Sequence, residues 1–351
     1  MNKAVGLVVL LVVILAVVLL VQPSKKKDSD SAKPGSTKEA PGETDAPFKV
    51  GLVTPGAIND GGWSQTAYAG LKRIEKELNA KVSNSVASST NEAFAAFRLY
   101  GSEKYNVVIG HASEWFDPKT QEIAAANPNT VFLISGSERA EKNLSGVRFL
   151  LEDAAYVCGQ IAAGMSKSGI LGCVGPKEVP VIESTFFAFK SGAESVRKDI
   201  KVNVVWTNDW ADVARAKERT LILIDQGADF IFHNANDGAP GVFQAAQEKR
   251  KQGANVYVFG SNADQNAMAD DVILASAVLD IPGAYMSVVK EIQNGHYMPE
   301  THFLGIPQGH VWVSYNAKLA DKIPADVRKL ADETVAKIKT YQFKAPRRDL
   351  K

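Results

Sequence analysis

Two kinds of hydrophobic spacing alternate along residues 48–340. The stretch from Phe48 to Val53 is short, apolar and rich in β-branched residues, which is typical of a buried strand, and a glycine and a proline soon follow it. From Trp63 to Leu78 the apolar positions recur every three or four residues, which predicts one face of a helix. The same succession repeats, so the sequence predicts an α/β fold with parallel sheets covered on both faces.

The repeated pattern predicts two series of elements. Predicted strands are 48–53, 81–87, 106–113, 130–135, 146–151, GILGCVG, KVNVVWT, DFIFHNA, NVYVFGS, 273–280 and 310–316. Predicted helices are 63–78, 92–103, a segment from Lys119, 152–167, FFAFKSGAESVRK, ADVARAKERTLILIDQG, PGVFQAAQEKRKQG, PGAYMSVVKEIQNG and a segment from Pro324. Two doubly wound, Rossmann-like lobes of similar size fit this series. The last elements are too few for a third domain, so we expect them to cross back between the lobes.

The loops that follow the predicted strands are rich in amide, carboxylate and aromatic side chains. In open parallel sheets, ligands bind at this carboxyl edge. The first loop contains neither a dinucleotide-binding G-x-G-x-x-G nor a P-loop G-K-[ST], so it suits a neutral or cationic planar ligand better than a phosphate. The candidate ligand-binding residues in these loops are Asn59, Asp60, Trp63, His111, Trp210, Asn234, Asn236, Asp237, Asn262 and Asp264.

Charge and cysteine content narrow the function classes. The 40 Lys and Arg residues balance 39 Asp and Glu residues, and the net charge of +1 gives no electrostatic reason to expect a nucleic-acid partner. Cys158 and Cys173 lie in apolar segments, so we expect two buried free thiols, with a disulfide as the alternative. Two cysteines are too few for a metal site of their own, and we expect no metal or cofactor.

The N-terminal segment differs from the rest of the chain. Residues 4–21 are 18 consecutive apolar residues, about the length that crosses a bilayer, and no small-x-small cleavage pattern follows them. We therefore expect residues 1–21 to be an uncleaved membrane anchor, with a cleaved signal peptide as the alternative. Residues 22–47 contain no aromatic residue, four prolines and balanced charges, which predicts a disordered linker.

Five segments, taken together and in this order, resemble the basic membrane protein family of solute-binding proteins: GLVTPGAINDGGWSQTAYAGL, YVCGQIAAGMSKSGILGCVG, VVWTNDWADVARAKERTLILIDQGADFIF, GVFQAAQEKR and VFGSNADQ. The resemblance covers residues 48–343. It implies a type I periplasmic-binding-protein fold that serves an ABC importer, and the best-known members bind purine nucleosides. It also implies two lobes that close about a three-strand hinge crossing near 150, 280 and 311. The lobes would be 48–150 plus 281–311 and 151–280 plus 312–345.

The resemblance also assigns roles to particular residues. The acidic and aromatic positions of the family's first loop match Asn59, Asp60 and Trp63, and its W/F-x-D motif matches Trp210 and Asp212. A purine would stack between Trp63 and Trp210, although for each tryptophan packing on its own lobe is the alternative.

Some positions depart from the family pattern. Nucleoside-binding members have G-V-D-S-D-Q where this chain has 260–265, a lysine near 278–280, and an acidic residue where this chain has Ser135 and Gly136. The aspartate and lysine are the groups expected to hold a ribose, so we expect a nucleobase or another flat nitrogen heterocycle. Ser135 and Asp280 complete the set of candidate ligand-binding residues.

The expected function is an extracytoplasmic (periplasmic) receptor, held at the cell membrane by its N-terminal helix. It would capture a purine-like nucleobase or nucleoside and deliver it to an ABC permease. A membrane-tethered ligand sensor using the same cleft is the alternative. Catalysis is not expected: His111 or His233 would be the candidate base, but no serine or cysteine lies in a nucleophile elbow and no metal-ligand spacing is present.

Overall fold

The first sheet forms from the N-terminal strands together with one late strand. A computed structural model describes residues 46–59 and 62–350. The strands of this sheet are β1 (Lys49–Thr54), β2 (Lys81–Val86), β3 (Val107–Gly110), β4 (Val131–Ser135), β5 (Ala140–Glu141), β6 (Leu144–Phe149) and β12 (His302–Leu304). Their order is β12-β6-β4-β3-β1-β2 with every neighbour parallel, and β5 pairs antiparallel with β6.

The second sheet repeats this design. Its strands are β7 (Ile170–Gly175), β8 (Lys201–Trp206), β9 (Phe230–His233), β10 (Tyr257–Asn262), β11 (Ile273–Leu279) and β13 (Val311–Tyr315). The order is β13-β11-β10-β9-β7-β8, and only the pairing of β13 with β11 is antiparallel. The predicted α/β fold with two doubly wound units is therefore confirmed.

Helices cover both faces of the sheets. They are α1 (Trp63–Leu78), α2 (Thr90–Ser102), α3 (Pro118–Ala126), α4 (Leu151–Met165), α5 (Pro180–Val196), α6 (Val213–Asp225), α7 (Ala239–Lys251), α8 (Ile281–Gln293) and α9 (Ala325–Lys339). Successive residues of β1 belong to different cores: Leu52 packs in the core that contains α1 and α8, and Val53 packs in the core that contains α2. Strands buried on both faces explain why the apolar runs in the sequence are continuous.

Close helix packing stabilises the region beside the second sheet. A Cβ on Gly159 of α4 would overlap the carbonyl oxygen of Phe189, and one on Gly192 of α5 would overlap that of Tyr156. These glycines let the two helix backbones approach each other directly.

The chain passes between the sheets three times, and the three crossings lie side by side. The Leu150 N–H donates to the Leu304 carbonyl at 2.9 Å, and the Asp280 N–H donates to the His310 carbonyl at 2.9 Å. The Ile306 N–H donates to Asp153 Oδ2 at 3.1 Å. Hydrogen bonds therefore join the crossings near 150, 280 and 305–310 into one connection between the sheets.

The sequence-based element predictions differ from the structure mainly in short elements. Strands β5 and β12 were not predicted, because two or three residues carry no readable periodicity. The strand predicted over 106–113 ends at Gly110, and a short 3₁₀ turn, Ser113–Trp115, follows. Cys158 and Cys173 are both buried and free, as expected, and burial raises the pKa of both thiols.

The predicted anchor, 1–21, and nearly all of the predicted linker, 22–47, lie outside the described residues. Within residues 46–59 and 62–350, none of the helices combines the length and the apolar character that a membrane span requires.

Candidate ligand-binding site

A cavity of about 340 Å³ lies between the start of α1 and the loops that follow β9 and β10. The first sheet's side contributes Gly62, Trp63 and Thr66, and Ile281 from the start of α8 also lines it. The second sheet's side contributes His233, Asn236, Asp237, Ala239, Pro240, Ser261, Asn262, Ala263, Asp264, Gln265 and Met268. The volume is at the lower end of the range for small-molecule sites.

Trp63 forms one wall of the cavity and is held by buried aromatic residues. Its indole ring stacks on the His111 ring with centroids 4.0 Å apart and meets the Phe149 ring edge-on at 6.1 Å. The indole N–H donates to the His111 carbonyl at 3.0 Å. His111 therefore covers one face of the indole of Trp63, which lines the cavity.

His111 is buried behind Trp63 and links it to α8. Its Nε2 lies 3.1 Å from the Trp63 carbonyl, which can only accept, so Nε2 carries the proton. In the neutral ring, Nδ1 then accepts the Tyr285 hydroxyl at 2.5 Å. Burial raises the pKa of Tyr285, which keeps its hydroxyl protonated. We call Trp63, His111, Phe149 and Tyr285 the aromatic wall.

The opposite wall carries polar side chains at the ends of β9 and β10. Asn236 and Asn262 have left-handed backbones, with φ of 50° and 66°, a conformation that asparagine tolerates better than most residues. The Asn262 side-chain amide donates to Asn234 Oδ1 at 2.9 Å. We call Asn236, Asp237, Asn262 and Gln265 the amide wall.

A buried histidine fixes part of the amide wall. His233 is only 1% exposed, and its Nδ1 accepts the Ala235 N–H at 3.2 Å. The proton of the neutral ring is therefore on Nε2, which donates to Gln265 Oε1 at 3.0 Å. Desolvation lowers the pKa of His233 to about 4, so the ring is neutral near pH 7.

The two walls meet at Gly62, the residue that precedes α1. A Cβ added there would lie 2.5 Å from Asp237 Oδ1 and 3.2 Å from Asn236 Oδ1. Only glycine allows the first sheet's side to approach the amide wall this closely.

The structure brings five of the twelve predicted site residues to the cavity: Trp63, Asn236, Asp237, Asn262 and Asp264. Asn234 supports Asn262 from behind. Asp280 caps α8 by accepting the Gly283 N–H at 2.8 Å, next to the lining residue Ile281.

Four further predicted residues that the structure describes do not line the cavity. His111 and Ser135 are buried, and Asn59 is exposed in the first loop. Trp210 is 41% exposed, with the Lys177 ammonium 5.8 Å from its ring centroid. It follows β8, the edge strand of the second sheet, whereas the amide wall follows β9 and β10. Asp60 lies outside the described residues.

Sequence reasoning missed Gln265 and Gly62 as site residues. Gln265 was visible as the last residue of the VFGSNADQ motif, and its position after a strand was the available signal. Gly62 had no comparable signal, since its role depends on a contact with the loop after β9. In the part of the chain that the structure describes, no three His, Cys, Asp or Glu side chains are grouped so that they could hold a metal ion.

The chain is similar in sequence and in structure to several known proteins. A purine-binding protein of Brucella abortus is 29% identical over 300 residues, which cover 84% of this chain and 82% of that protein. The transcriptional activator protein med of Bacillus subtilis is 26% identical over 276 residues, covering 78% and 84%. The crystal structure of an ABC transporter system solute-binding protein from Aeropyrum pernix K1 has a TM-score of 0.72 at 18% identity, covering 86% and 94%.

The structural likeness identifies the two-sheet architecture as the type I periplasmic-binding-protein fold, with two doubly wound lobes, as the motifs implied. Residues 48–346 match the family Bmp, described as ABC transporter substrate-binding protein PnrA-like. The chain therefore belongs to the Bmp family of ABC transporter substrate-binding proteins.

Proposed function

We propose that this protein is the extracytoplasmic receptor of an ABC importer and that it captures a purine-like heterocycle in the cavity between its lobes. The observation that carries the proposal is the pairing of walls, with an indole on one side and fixed amides on the other. A flat ring can stack on Trp63 while its polar edge meets the amide wall. The purine-binding relative from Brucella abortus supports this ligand class.

The proposed lobes are 48–150 plus 281–311 and 151–280 plus 312–345. Each range contains one sheet, except that Val311, the first residue of β13, lies at the end of the first range. The three hydrogen-bonded crossings lie near the proposed boundaries. The contact of Gly62 with Asp237, already made in this structure, would hold the lobes closed and trap the ligand, after which a permease would receive the closed form. The receptor performs no chemistry on its ligand.

A free nucleobase is the preferred ligand. Asn262 occupies the place of the aspartate that nucleoside-binding members carry, and its side chain is already engaged with Asn234. Leu279, where those members have a lysine nearby, is a buried residue of β11. Neither position offers the charged group expected for a ribose.

Calorimetry on the purified full chain in a mild detergent tests the proposal. The panel is adenine, guanine, hypoxanthine, xanthine and their nucleosides. We expect at least one base to bind more tightly than its nucleoside. A nucleoside that binds more tightly than its base would overturn the base assignment. If the folded protein binds no compound of the panel, the purine assignment is overturned.

A membrane-tethered sensor is the second candidate, because the chain is also similar to a protein named as a transcriptional activator. The two functions differ in their consequence for the cell. Deletion of the gene should abolish uptake of the labelled ligand if the protein serves a permease. Unchanged uptake, together with a lost transcriptional response to the ligand, would favour the sensor.

A further inference from the structure

Gln265 has an amide whose orientation is determined by its neighbours. Its Oε1 accepts two hydrogen bonds, from the backbone N–H of Ser261 at 2.9 Å and from His233 Nε2 at 3.0 Å. A backbone N–H can only donate, so a flipped amide would place its NH₂ group against a donor. The oxygen of Gln265 therefore points toward His233 and Ser261, and the NH₂ group points away from them.

The His233 ring that holds this oxygen is itself held by its neighbours. The His233 ring packs edge-on against Phe243, with centroids 5.2 Å apart, and its Nδ1 is occupied by the Ala235 N–H. A ring fixed at Nδ1 and neutral at pH 7 has one proton to offer, and that proton is on the nitrogen that faces Gln265.

The backbone of Gln265 is also fixed. Its N–H donates to Ser276 Oγ at 3.1 Å, and Ser276 in turn donates to Asn266 Oδ1 at 2.9 Å. Asn266 donates to the Ser314 carbonyl at 3.1 Å. The loop after β10 is thus tied to β11 and β13.

The NH₂ group of Gln265 is the part of its side chain that is left to bind a ligand. Gln265 lines the cavity and is only partly buried. Among the described residues, its Oε1 is bonded twice and its NH₂ group makes no hydrogen bond. The cavity therefore contains a preoriented donor that cannot exchange roles with its own oxygen.

We infer that Gln265 selects a heterocycle whose edge carries a ring carbonyl and that His233 is the positioning residue that holds Gln265 in this orientation. The inference rests on the proposed function and names the ligand class, oxopurine-like rings in preference to aminopurines. A carbonyl oxygen accepts the NH₂ group, whereas an exocyclic amine at that place sets donor against donor and leaves both groups unpaired.

The test measures one ratio, the affinity for hypoxanthine divided by the affinity for adenine, by calorimetry on the full chain. The wild type should prefer hypoxanthine by about tenfold or more. Gln265→Glu replaces the free donor by an acceptor and should reverse the preference. Gln265→Met and His233→Met should bring the ratio toward one, and His233→Gln, which can donate again, should restore it. Gln252→Glu, the same change at an exposed position after α7, is the matched control and should leave the ratio unchanged.

Equal ratios in the wild type, Gln265→Glu and Gln252→Glu would overturn the inference while leaving a purine receptor standing. A ligand-free measurement separates this failure from a failure of the proposed function. Nitrogen-15 NMR should show His233 as a neutral ring protonated at Nε2 near pH 7. A ring protonated at Nδ1 would overturn the positioning role even if no base in the panel binds.

Discussion

The two walls of the cavity are built in opposite ways. The aromatic wall is a stack of rings in which each polar atom is used internally, as in the hydrogen bonds from Trp63 to His111 and from Tyr285 to His111. The amide wall follows two parallel strands and keeps a donor, the Gln265 NH₂ group, directed away from its own supports. Stacking accepts any flat ring, whereas a fixed donor distinguishes one ring edge from another. The first wall should therefore set affinity and the second should set specificity.

The largest expected effect is a change of folding stability with pH that is caused by His233, the buried histidine behind the amide wall. The pKa of His233 is lowered from 6.5 to about 4, so the unfolded chain binds a proton first as the solution is acidified. Stability should be complete above pH 6.5 and should fall as the pH drops toward 4, by up to about 3 kcal/mol at about 1.4 kcal/mol per pKa unit.

Asp153, at the crossings, opposes this loss. Burial raises the pKa of Asp153 from 3.8 to about 6, so its folded form binds the proton first, and its contribution is present at low pH and lost as pH rises through 6. Measured by chemical unfolding between pH 4 and 6.5, the free energy of unfolding of the wild type should depend only weakly on pH. In Asp153→Asn, whose side chain can still accept the Ile306 N–H, the free energy of unfolding should fall as the pH drops, because only the His233 contribution remains. In His233→Met it should rise as the pH drops, because only the Asp153 contribution remains. Identical slopes in all three proteins would contradict both assignments.

Removing the indole should break the aromatic wall as a source of affinity. Trp63→Ala should weaken the binding of every ligand in the panel by about 1 to 3 kcal/mol, the usual contribution of one base–aromatic stack, without changing the rank order of the affinities. Calorimetry measures both quantities. Trp210→Ala is the matched control, since that residue is exposed and outside the cavity lining, and it should change affinity less than threefold, roughly 0.6 kcal/mol. A loss equal to that of Trp63→Ala would instead support the predicted stacking of a purine between the two tryptophans.

A methyl group at the contact between the walls should prevent their full approach. Gly62→Ala places a Cβ 2.5 Å from Asp237 Oδ1, so we expect roughly tenfold weaker binding, about 1.4 kcal/mol. We also expect a smaller ligand-induced decrease in the radius of gyration than in the wild type. Small-angle scattering with and without ligand measures the second effect. The double variant Gly62→Ala/Asp237→Ala should bind as Asp237→Ala does, because the obstructing oxygen is gone. A further tenfold loss in the double variant would show that the glycine acts in another way.

The smallest effect should follow from loosening the aromatic wall from behind. Tyr285→Phe removes the hydroxyl that His111 Nδ1 accepts, at a cost of about 1 kcal/mol of stability. Affinity should fall by a few-fold and equally for oxo- and aminopurines, since Tyr285 is buried and does not line the cavity. Thermal unfolding and the calorimetric ratio measure these effects. A changed ratio would mean that the aromatic wall also contributes to specificity.

The sequence predicts which site residues follow a strand, but it does not predict where that strand lies in its sheet. Trp63 begins a helix that follows a strand, so its place at the carboxyl edge of a sheet was readable from spacing alone. Trp210 has the same local setting, yet its strand is at the edge of the second sheet and the residue lies outside the cavity. Strand order is a long-range property that the spacing of apolar residues does not encode.

Gln265 and His111 show the same limit on the scale of single atoms. The sequence marks both as polar residues after strands, but one presents a free donor to the cavity and the other is buried beneath Trp63. Which of these happens depends on the partners that approach from other elements, namely His233 for Gln265 and Tyr285 for His111.

The sequence by itself determined the α/β class, the two doubly wound units and the set of loops from which a site would be built, and it favoured two buried free cysteines over a disulfide. These follow from hydrophobic periodicity and from chemistry that neighbouring residues impose on one another. Only the tertiary structure decided which loops meet, which side chains face the cavity and which donor is left for a ligand. Those outcomes depend on strand order and on hydrogen bonds between residues tens to hundreds of positions apart, where the physical cause is the packing of whole elements.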